Sequence, residues 1–501
     1  MSNSMKRNTV RKLTFAGLLV ATGACSAAAQ YVQPKPLAGS ETVKTRIGEL
    51  KFELGVPAEE TVARLYDELD FQRAVQAYLW ASPIVAFEQS RINHMKSSGA
   101  TDGDMVTYQG YRNVGVWLTA NATTPYVLGF ADLTKTGPLV IELPAGAGAG
   151  MIDDAWQRPV TDLGQSGPDK AKGASYLVTG PEQVIKDPQA DFTVRSQTNN
   201  IIYMYRVLET DPKKAEQLKK SVRIYPYATR FNPPKTKFLT PKDNVKLALN
   251  IQPRGMDYWR RLHEILQREP VAERDRFFMA MLRPLGIKLG YPFKPGDRQT
   301  KILTEAAFVG EAMARITSFD KRFKGALYRN DARWDVVIQV TPKQDVDGTS
   351  QIDERLSYTY EAMLTSEGMV SQTPGVGQAY LGAYRDSKGR ALDGGKTYRL
   401  IVPPNAPAKQ FWSVTAYDAD TRTLVKNKQK RADRSSRMKD LKTNKDGSTE
   451  IWFASQAPKG KESNWIPTVP GRSWFAYLRL YAPLEDYFSR KWALGDIEQV
   501  K

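Results

Sequence analysis

The stretch Trp474-Phe-Ala-Tyr-Leu-Arg-Leu-Tyr481 has the two-residue period of a β-strand. One face carries aromatic residues and an arginine, and the other carries small and aliphatic residues: Phe475, Tyr477, Arg479 and Tyr481 against Ala476, Leu478 and Leu480. An arginine between tyrosines suits stacking on a sugar or an aromatic ring while its guanidinium holds a carboxylate. The alternative is a buried sheet arginine that pairs with an acid such as Asp418. Both interpretations place this strand in a packed sheet.

Further strands are predicted on both sides of a helical middle. Period-two alternation occurs at 139–143, at 201–208, at 334–340 and repeatedly between 398 and 481. Between about 240 and 325 the apolar residues recur at helical spacing, along two stripes: Trp259, Leu262 and Leu266, then Ile302, Ala306, Val309, Met313 and Ile316. Another helix is predicted over 58–89, with an interruption at Pro83. The order is therefore β-rich, helical, β-rich, which is an α+β organisation dominated by strands.

The first 29 residues are predicted to be a secretory signal. A cationic start precedes a short apolar run at 13–24, which is about half the length that a membrane span needs. Small residues at 27–29 suit signal peptidase, so the protein is expected to be periplasmic or secreted after cleavage near Ala29. The alternative is a lipid anchor on Cys25, because Thr22-Gly-Ala24 partly resembles a lipoprotein cleavage box.

Scarce cysteine and histidine exclude several kinds of site. Cys25 is the one cysteine among 501 residues, so a mature chain beginning at Gln30 has no disulfide, thiolate zinc site or cysteine nucleophile. The sequence contains no His-Glu-x-x-His motif, glycine-flanked serine elbow or phosphate loop. We therefore expect neither a metal nor a cofactor.

The chain is strongly basic. Its net charge is +18, and removal of the four leader cations leaves +14. Such a surplus of positive charge favours anionic partners. Because the protein is predicted to be exported, the expected partner is an anionic envelope surface and not nucleic acid. The run 426–445 holds nine cations against Asp433 and Asp440 and is predicted to be a solvated loop.

Two acidic pairs are candidate catalytic residues. Glycoside cleavage needs one carboxyl group as acid and one carboxylate as base or nucleophile. Asp153-Asp154 precedes Trp156, and Asp418 with Asp420 ends a predicted strand, so Asp154 and Asp418 are the candidates. The alternative is that these acids are turn residues that bond to their own backbone.

Aromatic residues give the main binding signal. Five of the ten tryptophans lie in the C-terminal ninety or so residues. The predicted ligand-binding residues are Trp156, Trp412, Tyr417, Trp465, Tyr477, Arg479 and Tyr481.

Several longer strings resemble a known family. They include Tyr78-Leu-Trp-Ala-Ser-Pro83, Pro138-Leu-Val-Ile-Glu-Leu-Pro144, Gly173-Ala-Ser-Tyr-Leu-Val-Thr-Gly-Pro181, Gln410-Phe-Trp-Ser-Val-Thr-Ala-Tyr-Asp418 and Leu478-Arg-Leu-Tyr-Ala-Pro483. Together they resemble a bacterial envelope family built from two domains of unknown function, numbered 1254 and 1214. The resemblance implies two tandem β-sandwich, jelly-roll-like domains and carries over no catalytic residue.

The predicted organisation follows from the pattern and the resemblance together. It is a signal peptide (1–29), a flexible lead-in (30–45), a 1254-type β-rich domain (46–235), a helical linking segment (236–330) and a 1214-type β-sandwich domain (331–501). We expect an exported envelope protein that binds a small amphiphile or saccharide in an aromatic-lined β-sandwich pocket. A carboxylate-dependent hydrolase or lyase and a structural envelope component are the alternatives, and the sequence does not predict an oligomeric state.

Overall fold

A computed structural model of the chain describes residues 42–113, 117–242 and 252–500. The predicted signal sequence, with Cys25 and the cleavage point near Ala29, lies outside these ranges, as do residues 30–41. Within them, no helix has both the length and the apolar character of a membrane span. The chain divides into two compact units, Met1–Leu65 and Tyr66–Lys501.

The described part of the first unit contains a small antiparallel sheet. Its strands are β1 Thr42–Thr45, β2 Gly48–Glu53 and β3 Val56–Pro57, in the order β1-β2-β3. Residues 42–45 were predicted to be unstructured. They form a strand because Gly48, with a φ of 107°, turns the chain so that Thr42 pairs with Lys51 and Thr45 with Gly48.

A long helix, α1 Glu59–Ser98, begins in the first unit and ends in the second. The predicted interruption at Pro83 is wrong, because the helix continues through this residue. Trp80, Ala81, Ile84 and Val85 around the proline are all buried, so their packing outweighs the missing backbone donor. The Pro83 carbonyl oxygen also accepts a hydrogen bond from Gln157 Nε2 at 2.7 Å.

Two sheets form a first sandwich around a shared hydrophobic core. Its elements are β4 Met105–Tyr108, α2 Gly110–Asn113, β5 Tyr126–Asp132, α3 Leu133–Thr136, β6 Leu139–Leu143, β7 Gly148–Asp154, β8 Pro159–Gly164, β9 Ala174–Thr179, β10 Phe192–Arg195, β11 Asn200–Val207, α4 Pro212–Lys220, β12 Arg223–Pro226 and β13 Phe238–Leu239. The six-stranded sheet has the order β13-β4-β5-β11-β7-β8, and the four-stranded sheet has the order β10-β9-β6-β12. The predicted alternation is confirmed, since Leu139, Ile141, Ile201 and Tyr203 all lie in the shared core.

The middle of the chain is helical, as predicted. It contains α5 Met256–Leu266, α6 Arg276–Leu282, α7 Asp297–Phe319, the short strands β14 Asp335–Val336, β15 Asp345–Val346 and β16 Thr349–Ser350, and α8 Ile352–Glu361. The buried stripe of α5 is confirmed at Trp259, Leu262 and Leu266. The predicted strand at 334–340 is reduced to the two residues of β14.

The predicted apolar stripe of α7 is partly wrong. Ile316 is 61% exposed, whereas the small residues Ala306, Gly310 and Ala314 are buried. The reason is a close approach to α1, since a Cβ atom on Gly310 would lie 2.5 Å from Tyr78 Cγ. Small side chains therefore fill the part of α7 that approaches α1, whereas Phe308 and Ile316 point to solvent.

A second sandwich occupies the C-terminal part. Its elements are β17 Gln378–Ala383, β18 Leu392–Asp393, β19 Thr397–Val402, β20 Ala408–Asp418, β21 Asp433–Ser435, β22 Thr449–Ala454, β23 Trp465–Pro467, β24 Ser473–Pro483, α9 Glu485–Phe488 and β25 Glu498–Val500. One sheet has the order β14-β17-β24-β20-β21, with β18 beside β24, and the other has the order β23-β22-β19-β25. The run 426–445 is not simply a solvated loop, because β21 within it is buried and pairs with β20.

The fold is therefore α+β and strand-rich, as predicted. The sheets that contain β11 and β24 also contribute to a central core shared with the helices. Ile202 and Met204 of β11 and Phe475 and Tyr477 of β24 belong to it. Between these two sheets lies the candidate site. The domain boundaries given above stay predictions.

Candidate ligand-binding site

A cavity of about 240 Å³ is lined by residues of both sandwiches. Strands β5, β7 and β11 contribute from the first sandwich, and β17 and β24 contribute from the second. Residues 362–369, which follow α8, and 375–378, at the start of β17, complete the wall. The cavity thus lies between the sandwiches and not inside either one.

Arg479 lies in the middle of β24 and is 3% exposed. Its Nη1 donates hydrogen bonds to the Tyr417 hydroxyl at 2.6 Å and to Thr415 Oγ1 at 3.3 Å, and its Nη2 donates to the Thr119 carbonyl oxygen. Its Cζ is 5.2 Å from the ring centre of Tyr477. All of these partners are neutral, so the guanidinium is held in place while its charge is left without a counterion.

Arg206 lies on β11 and is 6% exposed. Its Nη2 donates to Thr124 Oγ1, and its Cζ is 5.2 Å from the ring centre of Tyr126 and 5.7 Å from that of Tyr481. Tyr481 in turn stacks on Phe411, with ring centres 3.9 Å apart. Arg206 of the first sandwich therefore lies beside the tyrosine that follows Arg479 on the same face of β24.

No Asp or Glu occurs among the described residues that line the cavity. Neither arginine forms an ion pair with any carboxylate in the described ranges, and the groups that raise the pKa of both against the effect of burial are tyrosines. Arginine keeps its proton in proteins. Two buried positive charges therefore line the cavity without an acidic partner.

Four buried polar atoms of the lining residues also make no hydrogen bond to the described part of the chain. They are Trp117 Nε1, Arg206 Nε and the hydroxyl oxygens of Tyr477 and Tyr481. Buried polar groups in native proteins almost always have a partner. These atoms add hydrogen-bonding groups to the polar part of the lining.

The rest of the lining is mostly apolar. Methionine and leucine side chains dominate it: Leu128, Met151, Met204, Met363, Leu364 and Met369. The exposed residues Gln165, Val376 and Gln410 mark the mouth of the cavity. Beside this mouth, Cζ of the exposed Arg437 lies 3.9 Å from the ring centre of Phe411.

Buried acids of the first sandwich hold the wall formed by 362–369. Asp153 accepts a hydrogen bond from the Thr365 backbone N–H at 2.9 Å, and Asp162 accepts from that of Gly368 at 2.8 Å. Burial raises the pKa of both carboxyl groups. At Gly377, with a φ of 73°, a Cβ atom would lie 1.7 Å from the Gly368 carbonyl oxygen. The wall is thus tightly held at both of its segments.

The seven predicted ligand-binding residues divide into two groups. Tyr477, Arg479 and Tyr481 line the cavity, and Tyr417 accepts a hydrogen bond from Arg479. The three tryptophans are buried in other parts of the protein. Trp156 packs on Trp80 in the central core at a ring-centre distance of 4.9 Å, Trp412 lies in the core of the second sandwich, and Trp465 Nε1 donates to the Ala454 carbonyl oxygen at 2.8 Å.

The two candidate catalytic acids do not line the cavity. Asp154 accepts hydrogen bonds from the backbone N–H of Trp156 at 2.8 Å and from Arg158 Nε at 2.8 Å. Asp418 accepts from Arg472 Nε and Nη2, both at 2.7 Å, and from the Thr421 backbone N–H at 2.9 Å. Asp418 therefore pairs with Arg472 and not with Arg479. Among the described residues, no cluster of His, Cys, Asp and Glu could hold a metal ion.

A second group of buried charges lies near Tyr477. Lys321 Nζ is 3.4 Å from Glu361 Oε1 and 3.9 Å from Asp335 Oδ2, and the Tyr384 hydroxyl donates to Glu361 at 2.7 Å. Burial raises the pKa of Glu361, and it raises the pKa of Asp335 to about 6. The Tyr477 hydroxyl is close enough to act on Glu361 without reaching hydrogen-bond geometry. Lys321 is thus the cation that pairs with both acids, and neither acid forms an ion pair with Arg479.

Sequence reasoning missed Arg206 as a site residue. The available signal was its position in β11. Arg206 lies on the same face of this strand as the buried apolar residues Ile202 and Met204. Arg479 has the same relation to its own strand. Both residues could have been recognised as charged side chains within strands that are otherwise buried, since charged residues are seldom buried without a reason.

Comparison with known proteins places both arginines in recognised regions. Residues 105–226 match the family model "Protein of unknown function (DUF1254)", and residues 377–485 match "Protein of unknown function (DUF1214)". The chain is a tandem DUF1254–DUF1214 protein. Arg206 lies in the DUF1254 region and Arg479 in the DUF1214 region, so the cavity is built from both.

One solved structure supports the fold, and a second match is weaker. The crystal structure of the VPA0106 protein from Vibrio parahaemolyticus is similar over 86% of this chain and 100% of its own, with 19% identity and a TM-score of 0.53. An uncharacterised protein from Burkholderia cenocepacia covers 88% of this chain and 97% of its own, with 10% identity and a TM-score of 0.40. No curated protein matches the chain. The first of these similarities concerns the fold alone.

Proposed function

We propose that this DUF1254–DUF1214 protein binds a small amphiphile in the cavity between its sandwiches. An anionic head group, such as a carboxylate, contacts Arg206 and Arg479, and an apolar body contacts the methionines and leucines. The observation that carries the proposal is the presence of two buried arginines in a cavity with no described acidic lining residue. A carboxylate matches the planar fork of a guanidinium.

The lining favours an amphiphile over a neutral saccharide. Sugar hydroxyl groups are commonly held by acceptors that include carboxylates, whereas the charged lining residues here are only donors. Flexible methionines such as Met151, Met204 and Met363 adapt to an aliphatic chain. The hydrolase alternative has no comparable support, because neither Asp154 nor Asp418 lines the cavity.

Calorimetric titration of the full mature chain with octanoate tests the proposal. We expect saturable binding to the unaltered protein and a loss of affinity of at least about 30-fold in Arg479→Met, because a desolvated charge pair is lost. Arg223→Met is the matched control, since Arg223 is half exposed, pairs with Glu142 at 3.0 Å and lies on β12 in the other sheet. Native mass spectrometry of protein purified from its own host would identify a retained ligand by mass.

Two results would overturn the proposal. One is the absence of binding by any anionic amphiphile. The other is binding that Arg479→Met and Arg223→Met alter equally, which would place the ligand outside the cavity.

We also propose that the protein acts outside the cytoplasm, on the basis of its leader sequence. Protein recovered from the envelope fraction is expected to begin at Gln30. A mass increase from a lipid attached to Cys25 would instead support the anchored form, and an intact Met1 would contradict export.

A further inference from the structure

Each arginine of the cavity has its own hydrogen-bond partners, although the same tyrosines, Tyr126, Tyr380 and Tyr481, act electrostatically on both. Arg206 is held by Thr124 and lies beside Tyr126. Arg479 is held by Tyr417, Thr415 and the Thr119 carbonyl oxygen. In the described part of the chain, no residue shares a hydrogen bond with both guanidinium groups. The two guanidinium groups are therefore two separate binding elements on opposite sheets.

The carboxylates nearest to these arginines are engaged elsewhere. Asp433 acts on Arg479 electrostatically, but it accepts a hydrogen bond from Thr123 Oγ1 at 2.9 Å and burial raises its pKa. Glu361 lies behind Tyr477 and is 3.4 Å from Lys321. Beside Asp433, the buried Arg434 adds a further cation. Although Asp433 acts on Arg479 electrostatically, no carboxylate in the described ranges forms an ion pair or a hydrogen bond with either lining arginine.

The two cations approach the same stretch of β24 from different sheets. Arg479 belongs to β24, whereas Arg206 belongs to β11 and its Cζ lies 5.7 Å from the ring centre of Tyr481, two residues after Arg479 on the same face. Positions two residues apart on a strand, such as 479 and 481, are separated by about 6.7 Å. Such a spacing suits either two anionic groups on one molecule or one head group with several charged oxygens.

We infer that the ligand carries two negative charges, one for each arginine. The inference rests on the proposed function and narrows it from an anionic amphiphile to a dianionic one. An aliphatic dicarboxylate and an alkyl phosphate both have this chemistry. A monocarboxylate would leave one buried guanidinium without a counterion.

Matched probes that differ by one charge test the inference. Octanedioate is compared with its monomethyl ester, and octyl phosphate is compared with octyl methyl phosphate, by calorimetry at pH 7.5 and constant ionic strength. We expect at least one dianion to bind about 10-fold or more tightly than its monoanionic partner, because the second charge meets a buried guanidinium. Preference for octanedioate identifies two separate carboxylates, and preference for octyl phosphate identifies a single dianionic head.

Variants then show whether the arginines sense the second charge. In Arg206→Met and in Arg479→Met the affinity ratio between dianion and monoanion should fall to about one, while Arg223→Met keeps it. Circular dichroism and the thermal midpoint of each variant check that the chain is folded.

The outcomes separate the two proposals. Equal affinity for the members of both pairs, or a ratio that survives in both arginine variants, overturns the dianion inference and leaves the proposed function intact. Absence of binding by all four probes overturns both.

Discussion

Two kinds of buried charge occur in this protein, and they differ in what surrounds them. Asp154 and Asp418 each accept hydrogen bonds from a nearby arginine and from backbone N–H groups. Arg206 and Arg479 are buried to a similar degree, but hydroxyl groups, a carbonyl oxygen and aromatic rings surround them. A complete ion pair can be explained by the fold alone, whereas two buried cations in a cavity without a described acidic lining residue are the observation on which the proposed ligand binding rests.

The pKa shifts follow the same division. Burial raises the pKa of the Asp418 carboxyl group, but hydrogen bonds from Arg472 and from the backbone outweigh burial and lower it overall. The charged form of this acid is thus stabilised within the protein. No acidic residue lines the described part of the cavity to do the same for its arginines.

The largest expected effect comes from breaking a complete pair. Asp154→Ala should lower the free energy of unfolding by about 3–5 kcal/mol, because it leaves Arg158 buried without its carboxylate. Asp418→Ala should cost only about 1–3 kcal/mol, since the Arg472 side chain is 47% exposed and is hydrated when unpaired. Urea unfolding followed by circular dichroism measures both, and a smaller loss at Asp154 than at Asp418 would contradict this ranking.

A buried group that stays neutral extends the comparison. His94 is 2% exposed, its Nδ1 lies 3.0 Å from the Tyr108 hydroxyl, and burial followed by the charge of Arg91 lowers its pKa to about 3. Its stabilising contribution is present above the unfolded pKa of about 6.5 and is lost as the pH falls towards 3. Between pH 7 and pH 5 the unaltered protein should lose about 2 kcal/mol relative to His94→Gln.

The quantity to measure for His94 is the difference in unfolding free energy between the unaltered protein and His94→Gln. Asp335 and Glu269 have pKa values raised by burial to about 6 and about 7, so their contribution is lost as the pH rises through those values. That opposing change is common to both proteins and cancels. If the unfolding free energies of the unaltered protein and of His94→Gln differ by the same amount at pH 5 and at pH 7, His94 is not held neutral.

Substitution of a cavity arginine should not lower the free energy of unfolding, whereas substitution of a paired acid should. Without ligand, Arg206→Met should leave the unfolding free energy unchanged or raise it by up to about 1 kcal/mol, because an unpaired buried charge is removed. Arg472→Met is the matched change on a paired arginine and should lower it by about 1 kcal/mol, since Asp418 loses its partner. Equal losses in the two variants would mean that Arg206 serves the fold alone.

The smallest effect is expected at the mouth of the cavity. Arg437→Gln should slow the association of an anionic ligand by about 2- to 3-fold at low salt, because the exposed cation beside Phe411 attracts it. The difference should vanish at about 0.5 M salt, where such attraction is screened. Stopped-flow fluorescence measures the rate, and a difference that persists in high salt would argue for direct contact.

Part of the site was predictable from sequence, and part was not. Alternation along β24 places Tyr477, Arg479 and Tyr481 on one face, which the structure confirms. Arg206 could not be joined to them, because no local pattern predicts which two sheets approach each other. Aromatic content alone was misleading, since Trp412 packs inside the second sandwich.

The fold shows the same limit. Periodicity predicts the strands and the inward face of α5, because each depends on burial of its own apolar side chains. The inward face of α7 depends on how closely it approaches Tyr78, and Gly310 gives no hydrophobic signal. Pro83 lies within α1 because neighbouring elements bury that part of the helix.

Both sandwiches contribute to the cavity wall, which matters when the two halves of the chain are expressed separately. One arginine comes from the DUF1254 region and the other from the DUF1214 region, so neither half expressed alone would contain a complete binding site. A chain cut between them would recover binding only where the fragments reassociate. The ligand would then act as a molecular glue, and its concentration would set the yield of the reassembled protein.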